Sequence, residues 1–323
     1  MSAFSIEPYD ASHRDAYLGL LREAWGAAAM RGDVFDWWFQ ENPAGSLMSV
    51  AVIDGEVVGV ASHSLAQLRI GGEERVGQYS VHAVTSERAR GLGIFRALER
   101  RHEELGKELG SSCVLAFASA PTRPLFLGPL GWSQIDRRRV WGRPLRAVVE
   151  LRLRRLRRHG AASSSPPVAS ERPGTRTLSR FGTEQENAYR ALAPMLGNHL
   201  VRDARYLQWR YLDSPRPYSA YASPEGFAVL GRAQRGRIST ALVMDLVAPP
   251  GQARALLARC ARDARQADVL LAVPSPSLPR SLLARCGFAP LPTRLDYMGH
   301  GLSHPFDARA SAWTVSFGDT DFF

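Results

Sequence analysis

The stretch from residue 79 to residue 109 constrains this chain more than any other. An apolar, strand-like run from Tyr79 to Val84 leads into Arg88-Ala-Arg-Gly91-Leu-Gly93, and a helix-like run from Ile94 to Leu109 follows. A strand, a turn with two glycines and a helix aim several backbone N–H groups at one point, at the positive end of a helix dipole, where a phosphate or diphosphate binds. Gly91 and Gly93 let the backbone approach such a ligand with no Cβ in the way. The dinucleotide fingerprint does not fit, because Arg96 stands where its third glycine belongs, and no Gly-Lys-Ser/Thr follows as in a Walker A loop. Taken alone, the short motif is also compatible with an ordinary strand-to-helix connection.

The surrounding order of elements narrows the reading. Ile94, Leu98 and Leu105 recur at helical spacing. A fully apolar strand, Cys113 to Ala118, comes next, then a short Pro-punctuated helix, Pro121 to Leu127, and Leu130-Gly131-Trp132. Arg88-x-x-Gly91-x-Gly93 in this setting resembles the acyl-CoA diphosphate loop of the GNAT acyltransferase superfamily, whose domains close on Leu-Gly-Phe; Trp132 is a conservative departure.

Before the loop, Ser12 is placed to cap a helix carrying Tyr17, Leu20, Leu21 and Trp25, and a second helix carries Phe35, Trp37, Trp38 and Phe39. Leu47–Ile53 and Val57–Leu65 read as strands joined at Asp54-Gly55, a hairpin signal. The whole predicts an α/β arrangement with a mixed, α+β sheet. Residues 175–323 echo this order. Trp37, Phe39 and Pro43 have counterparts in Trp209, Tyr211 and Pro215, and each set precedes apolar strands, a long helix, an apolar strand and a Gly-aromatic close, Cys286-Gly287-Phe288 in the second copy. Two tandem GNAT-like domains are therefore expected, at 1–146 and 175–323. The second is degenerate: Ala248-Pro249-Pro250-Gly251 replaces the glycine loop, and two prolines remove two N–H donors.

Residues 147–174 read as a linker, rich first in arginine and then in Ser and Pro. The arginine run, beginning at Arg146, fits a solvated linker helix better than a membrane or nucleic-acid surface. The formal charge is +10, and Lys107 is the only lysine among 41 basic residues, so Schiff-base chemistry is disfavoured. Cys113, Cys260 and Cys286 sit in apolar runs and read as reduced, buried thiols with no metal site. No apolar run reaches the length of a membrane span and no signal core is evident, so the expected location is the cytoplasm.

The resemblance implies an N-acyltransferase that moves an acetyl or short acyl group from coenzyme A to a primary amine of a small molecule, such as an amino sugar or a biosynthetic intermediate, with no metal and no nucleic-acid partner. It implies that the backbone around Val84 holds the pantetheine arm and that Arg88, Arg90, Gly91, Leu92, Gly93, Ile94 and Phe95 cradle the diphosphate. The superfamily's usual thiolate-protonating Tyr falls at Leu127, so any acid comes from elsewhere; Ser119 and Thr122 are nearby but weakly acidic. Gln78 occupies a position some members fill with a Glu base. Strict alternation puts Ser80 and His82 on the same face as Gln78, and an imidazole suits proton removal at neutral pH. His63 is a rival. Trp37, Trp38 and Glu41 are candidates for the acceptor side, with Asp36 beside them, and at least one of the three successive aromatics is expected to line a cleft. The alternative is a catalytically inactive GNAT pair that binds a partner or polyanion through the arginine-rich linker.

Overall fold

The computed structural model describes residues 4–145 and 175–320. These form two compact units. The units cross the halves expected from the sequence: the first takes residues up to Arg137 with Asn198–Val201 and Leu295–Trp313, and the second takes Arg138–Gly197, Arg202–Arg294 and the residues from Thr314 on. The arginine-rich segment and residues 321–323 lie outside the described residues.

The first unit contains β1 (Ser5–Pro8), α1 (Arg14–Trp25), α2 (Gly32–Phe35), β2 (Ser46–Ile53), β3 (Glu56–Ile70), β4 (Glu73–Thr85), α3 (Ile94–Glu108), β5 (Cys113–Ala118) and α4 (Arg123–Leu127). The order of its sheet is β1-β2-β3-β4-β5, with β4 and β5 parallel and the other neighbours antiparallel. The 3-10 turn Ala11–His13 that leads into α1 is capped by Asp10, whose side chain accepts from the Ser12 amide at 2.7 Å, and Ser12 is not a cap. The β2–β3 hairpin turns at Asp54 and Gly55, φ 51° and 79°, the two left-handed residues that Asp-Gly predicts. Ala51, Val58, Ala61, Ile94 and Leu98 form the core between sheet and α3. At Gly106 a Cβ would lie 1.5 Å from the Gln78 amide nitrogen, so glycine lets α3 pass close over β4.

The second unit contains β7 (Arg176–Leu178), α5 (Thr183–Leu192), α6 (Ala204–Leu207), β9 (Ser219–Ser223), β10 (Gly226–Arg235), β11 (Ile238–Val247), α7 (Pro250–Asp263), β12 (Val269–Ala272) and α8 (Arg280–Arg285). Here β11 and β12 are the parallel pair, matching β4 and β5. The short β8 (His199–Leu200) belongs to the first unit, on β3.

Each unit takes its closing strand from the other half of the sequence. In the first, Asp296–Gly301 of β13 (Ala289–Gly301) pair antiparallel with β5; in the second, Trp141–Pro144 of β6 (Ser133–Pro144) pair antiparallel with β12. The bounds expected from the sequence, 1–146 and 175–323, place each of these stretches in its own half. Pairing is non-local, and local patterning carries no signal for it.

The duplication extends to an unusual local feature. α2 continues into a π-helical turn, Asp36–Gln40, and α6 into another, Gln208–Leu212. The i→i+5 turn rotates successive side chains differently from an α-helix. Trp37, Trp38 and Phe39 are all buried, at 2, 6 and 5% exposure, so the expected cleft-lining aromatic among them is not found.

Candidate active site

β4 and β5 pair only at Gln78↔Val114 and Tyr79↔Leu115. Beyond Tyr79 they no longer pair, which leaves the edge of β4 from Ser80 to Thr85 facing a split in the sheet. Between Val60↔Val84 and Ser62↔Val81, β4 carries an extra residue opposite β3, a bulge at which His82 adopts φ 50°. A left-handed backbone at a non-glycine residue is a departure of about 1–2 kcal/mol. Its surroundings hold it: the Tyr17 and Ser62 hydroxyls share a 2.8 Å hydrogen bond and lie 3.3 Å from the His82 carbonyl and 3.2 Å from the Val81 carbonyl, so whichever hydroxyl accepts in the shared bond donates to its own carbonyl.

The bulge corrects the expectation that Gln78, Ser80 and His82 share a face. The extra residue breaks the period-two alternation, and His82 turns toward α1 and the π turn. Its ring meets Trp25 edge-on at 5.6 Å and Phe39 at 6.2 Å. Trp25 is 40% exposed and His82 half-buried, so this pair borders solvent. Gln78 and Ser80 point the other way, into the layer beneath α3. Gln78 is fully buried and shares a 2.7 Å hydrogen bond with His63 Nδ1; His63 Nε2 lies 3.0 Å from Glu99, and the Ser80 hydroxyl donates to Glu99 at 3.0 Å. His102 meets the edge of His63 at 4.6 Å and shares a 2.9 Å hydrogen bond with Ser49. Burial, then the neighbouring His63, pushes the His102 pKa well below the usual imidazole range. Gln78 and His63 are thus fully buried, and of the sequence candidates for proton removal only His82 is partly exposed, with its Nε2 turned inward.

Past the bulge, β4 leads into the glycine turn. Ser86 N–H donates to the Val58 carbonyl at 2.8 Å, a short 3-10 turn spans Glu87–Ala89, and buried Ala89 and Ile94 anchor the two ends. Between them Arg90, Gly91, Leu92 and Gly93 are exposed. Gly91 has φ 84° and Gly93, the N-cap of α3, φ 82°; a Cβ on Gly91 would meet nothing within 4 Å. α3 has no side-chain cap and no acidic residue in its first turn. Its first amides therefore have no carboxylate competing for them, which fits an incoming diphosphate. The Arg88 guanidinium pairs with Glu56, and Arg90 donates to Glu87 at 3.0 Å.

The remaining candidates are more peripheral. Glu41 is exposed after the π turn, while Asp36 takes a two-pronged hydrogen bond from Arg14 at 3.0 and 2.8 Å. Trp38 is buried and donates to Ser64 at 2.7 Å. Leu127 is half-buried on α4, and Ser119 and Thr122 hydrogen-bond each other at 2.9 Å. Sequence reasoning missed Trp25 and Tyr17 as neighbours of the bulge, because both read simply as apolar positions of α1. No metal-ligating cluster occurs among the described residues, and no described helix is long and apolar enough to cross a membrane.

The matching place in the second unit is built differently. The register Val229↔Asp245 and Leu230↔Val243 keeps a bulge on β11 and sets Asp245 where β4 has Val84. Asp245 accepts from Arg202 at 2.7 Å, from Ser316 at 2.7 Å and from Tyr211. Arg202 also donates to Asp319 at 2.6 Å, and Arg210 to the Thr320 carbonyl at 3.0 Å. The tail up to Thr320 thus packs over this spot, and a cavity of about 20 Å3 remains beside Arg202, Val243, Asp245, Val273 and Ser316, room for about one water. α7 begins at Pro250 behind an N-cap Pro249, so the loss of N–H donors expected from the sequence is present in the fold.

No protein-family model and no curated protein matches the sequence. Among solved structures, the chain is similar to a GCN5-related N-acetyltransferase from Kribbella flavida, 18% identical, over 94% of this chain and 72% of that one, with a TM-score of 0.64. It is similar to the N-myristoyltransferase of Saccharomyces cerevisiae with bound myristoyl-CoA, 12% identical over 98% and 86% of the two chains with a TM-score of 0.64, and to Eis1 from Mycobacterium abscessus, 16% identical over 93% and 74% with a TM-score of 0.57. Likeness at such identities concerns architecture: over nearly its whole length the chain has the fold of the GCN5-related N-acetyltransferases.

Proposed function

We propose that this chain is an acyl-CoA-dependent N-acyltransferase with one working cleft, in the first unit. It moves an acetyl or other short acyl group from coenzyme A to the primary amine of a small molecule, an amino sugar or a biosynthetic intermediate, in the cytoplasm. One observation carries the reading: β4 parts from β5 beyond Tyr79, bulges at His82, and runs through a two-glycine turn into an uncapped α3. A diphosphate on the turn would lead its pantetheine arm back along Val84 to the bulge, where free strand-edge amides can polarise a thioester carbonyl. The amine nitrogen attacks that carbonyl, the C–S bond breaks, and the proton that the nitrogen sheds on becoming an amide goes to the leaving thiolate, directly or through water. The ammonium proton goes to His82, directly or through water, before attack. In the second unit, a carboxylate at Asp245 repels a developing oxyanion, and Pro249 and Pro250 remove donors, so it supports the fold without carrying the reaction.

The test is calorimetric titration of coenzyme A into the full chain and into Gly91→Glu, followed by thiol release from acetyl-CoA against a panel of amines. Gly91→Glu sets a carboxylate on the cradle and abolishes binding while the chain stays folded. Equal binding by both proteins would remove the turn as the site.

A further inference from the structure

Three arginines flank the glycine turn, and their side chains are not equivalent. We infer that Arg96, on the helix side of the glycines, is the side chain that neutralises the diphosphate of the acyl carrier, an assignment that rests on the acyl-CoA reading above. Arg88 is engaged by Glu56 and Arg90 by Glu87, so each already has a carboxylate, and the Glu87 pair closes the 3-10 turn on itself. Arg96 is exposed and has no carboxylate partner among the described residues. Its Nη2 lies 4.0 Å from the position a Cβ would take on Gly93, so the side chain follows the N-terminal lean of a helical residue and brings the guanidinium beside the turn. The next cations of α3 are also occupied, Arg100 by Glu103 at 2.7 Å and Arg101 by Glu104 at 3.6 Å. A planar guanidinium beside unpaired first-turn amides suits two-pronged contact with phosphate oxygens. The paired arginines before the glycines then shape the loop, and the free charge comes from after them. Coenzyme A carries both a diphosphate and a ribose 3′-phosphate. Its lean over the N-cap of α3 assigns it to the diphosphate and not to the ribose 3′-phosphate.

The experiment is titration of the full chain with coenzyme A, 3′-dephospho-coenzyme A and pantetheine, using wild type, Arg96→Gln, Arg96→Lys and, as a charge control on the same helix, Arg101→Gln. Arg96→Gln should weaken coenzyme A and its dephospho form alike, by about tenfold, which corresponds to about 1.4 kcal/mol. Pantetheine, which lacks the diphosphate, should bind all variants equally. Arg96→Lys should recover part of the loss, Arg101→Gln should stay within about twofold, and the Arg96→Gln complex should depend less on salt. An unchanged thermal midpoint in Arg96→Gln confirms that binding, not folding, is being read. The assignment is overturned if Arg96→Gln binds as wild type does, if it loses affinity for coenzyme A but not for the dephospho form, or if Arg88→Gln loses more. Wild type that fails to bind coenzyme A would sink the acyl-CoA reading and this assignment with it; wild type that binds while Arg96→Gln is unaffected would sink the assignment alone.

Discussion

Replacing His82 by glycine and by alanine separates what its backbone does from what its ring does. Both variants lose the edge-on contacts to Trp25 and Phe39. They differ in the left-handed backbone at φ 50°. Alanine keeps that strain, about 1–2 kcal/mol, which glycine does not feel. Glycine costs about 0.4–1 kcal/mol more in unfolded-chain entropy. The balance makes His82→Gly the more stable of the two by about 0.5–1 kcal/mol, or roughly 2 °C in midpoint at about 2–4 °C per kcal/mol for units of this size. In an ordinary extended strand the order is reversed, with alanine ahead, so the sign alone is diagnostic. Denaturant and thermal unfolding measure it. Turnover measures the ring: if the imidazole takes the ammonium proton, both variants lose about 100-fold in kcat/KM near neutral pH, at the lower end of general-base effects. That loss narrows as pH rises and the acceptor amine deprotonates unaided. Alanine more stable than glycine would refute the strained bulge, and near-wild-type turnover at neutral pH in either variant would refute the base.

The second unit supplies two further expectations. Asp245→Val, which copies the residue at Val84, removes one of the two carboxylates paired with the buried Arg202 guanidinium and the acceptor of the Tyr211 hydroxyl; a loss of about 3–5 kcal/mol is expected by chemical unfolding, and a loss under about 1 kcal/mol would contradict a closed cluster of this kind. Burial, only partly offset by Arg202, pushes the Asp319 pKa up from 3.8 to about 6. A carboxyl raised above its unfolded value favours the folded state most when protonated, so its contribution is full below about 3.8 and is lost as pH rises through about 6. Wild type should therefore gain stability relative to Asp319→Asn as pH is lowered from 7 to 5 in thermal melts, and parallel curves for the two proteins would dismiss the raised carboxyl.

Sequence by itself determined the parts whose signals are local. The glycine turn between a strand and a helix, the Asp54-Gly55 hairpin and the paired Trp-containing helices were all legible, because backbone freedom and apolar periodicity act over a few residues. The prolines at 249 and 250 likewise announced that the second copy had lost its loop. Only tertiary structure decided the rest. One extra residue in β4 reversed the face of His82 relative to Gln78, and sequence periodicity cannot see a bulge that exists only against a partner strand. The buried set of His63, Gln78 and Glu99 drew its candidates away from the cleft, since each is tolerated in the core only through partners far along the chain. The closing strands, and the tail that packs over Asp245, were settled by non-local pairing, which the chain encodes through shape and satisfied hydrogen bonds and not through any run of neighbouring residues.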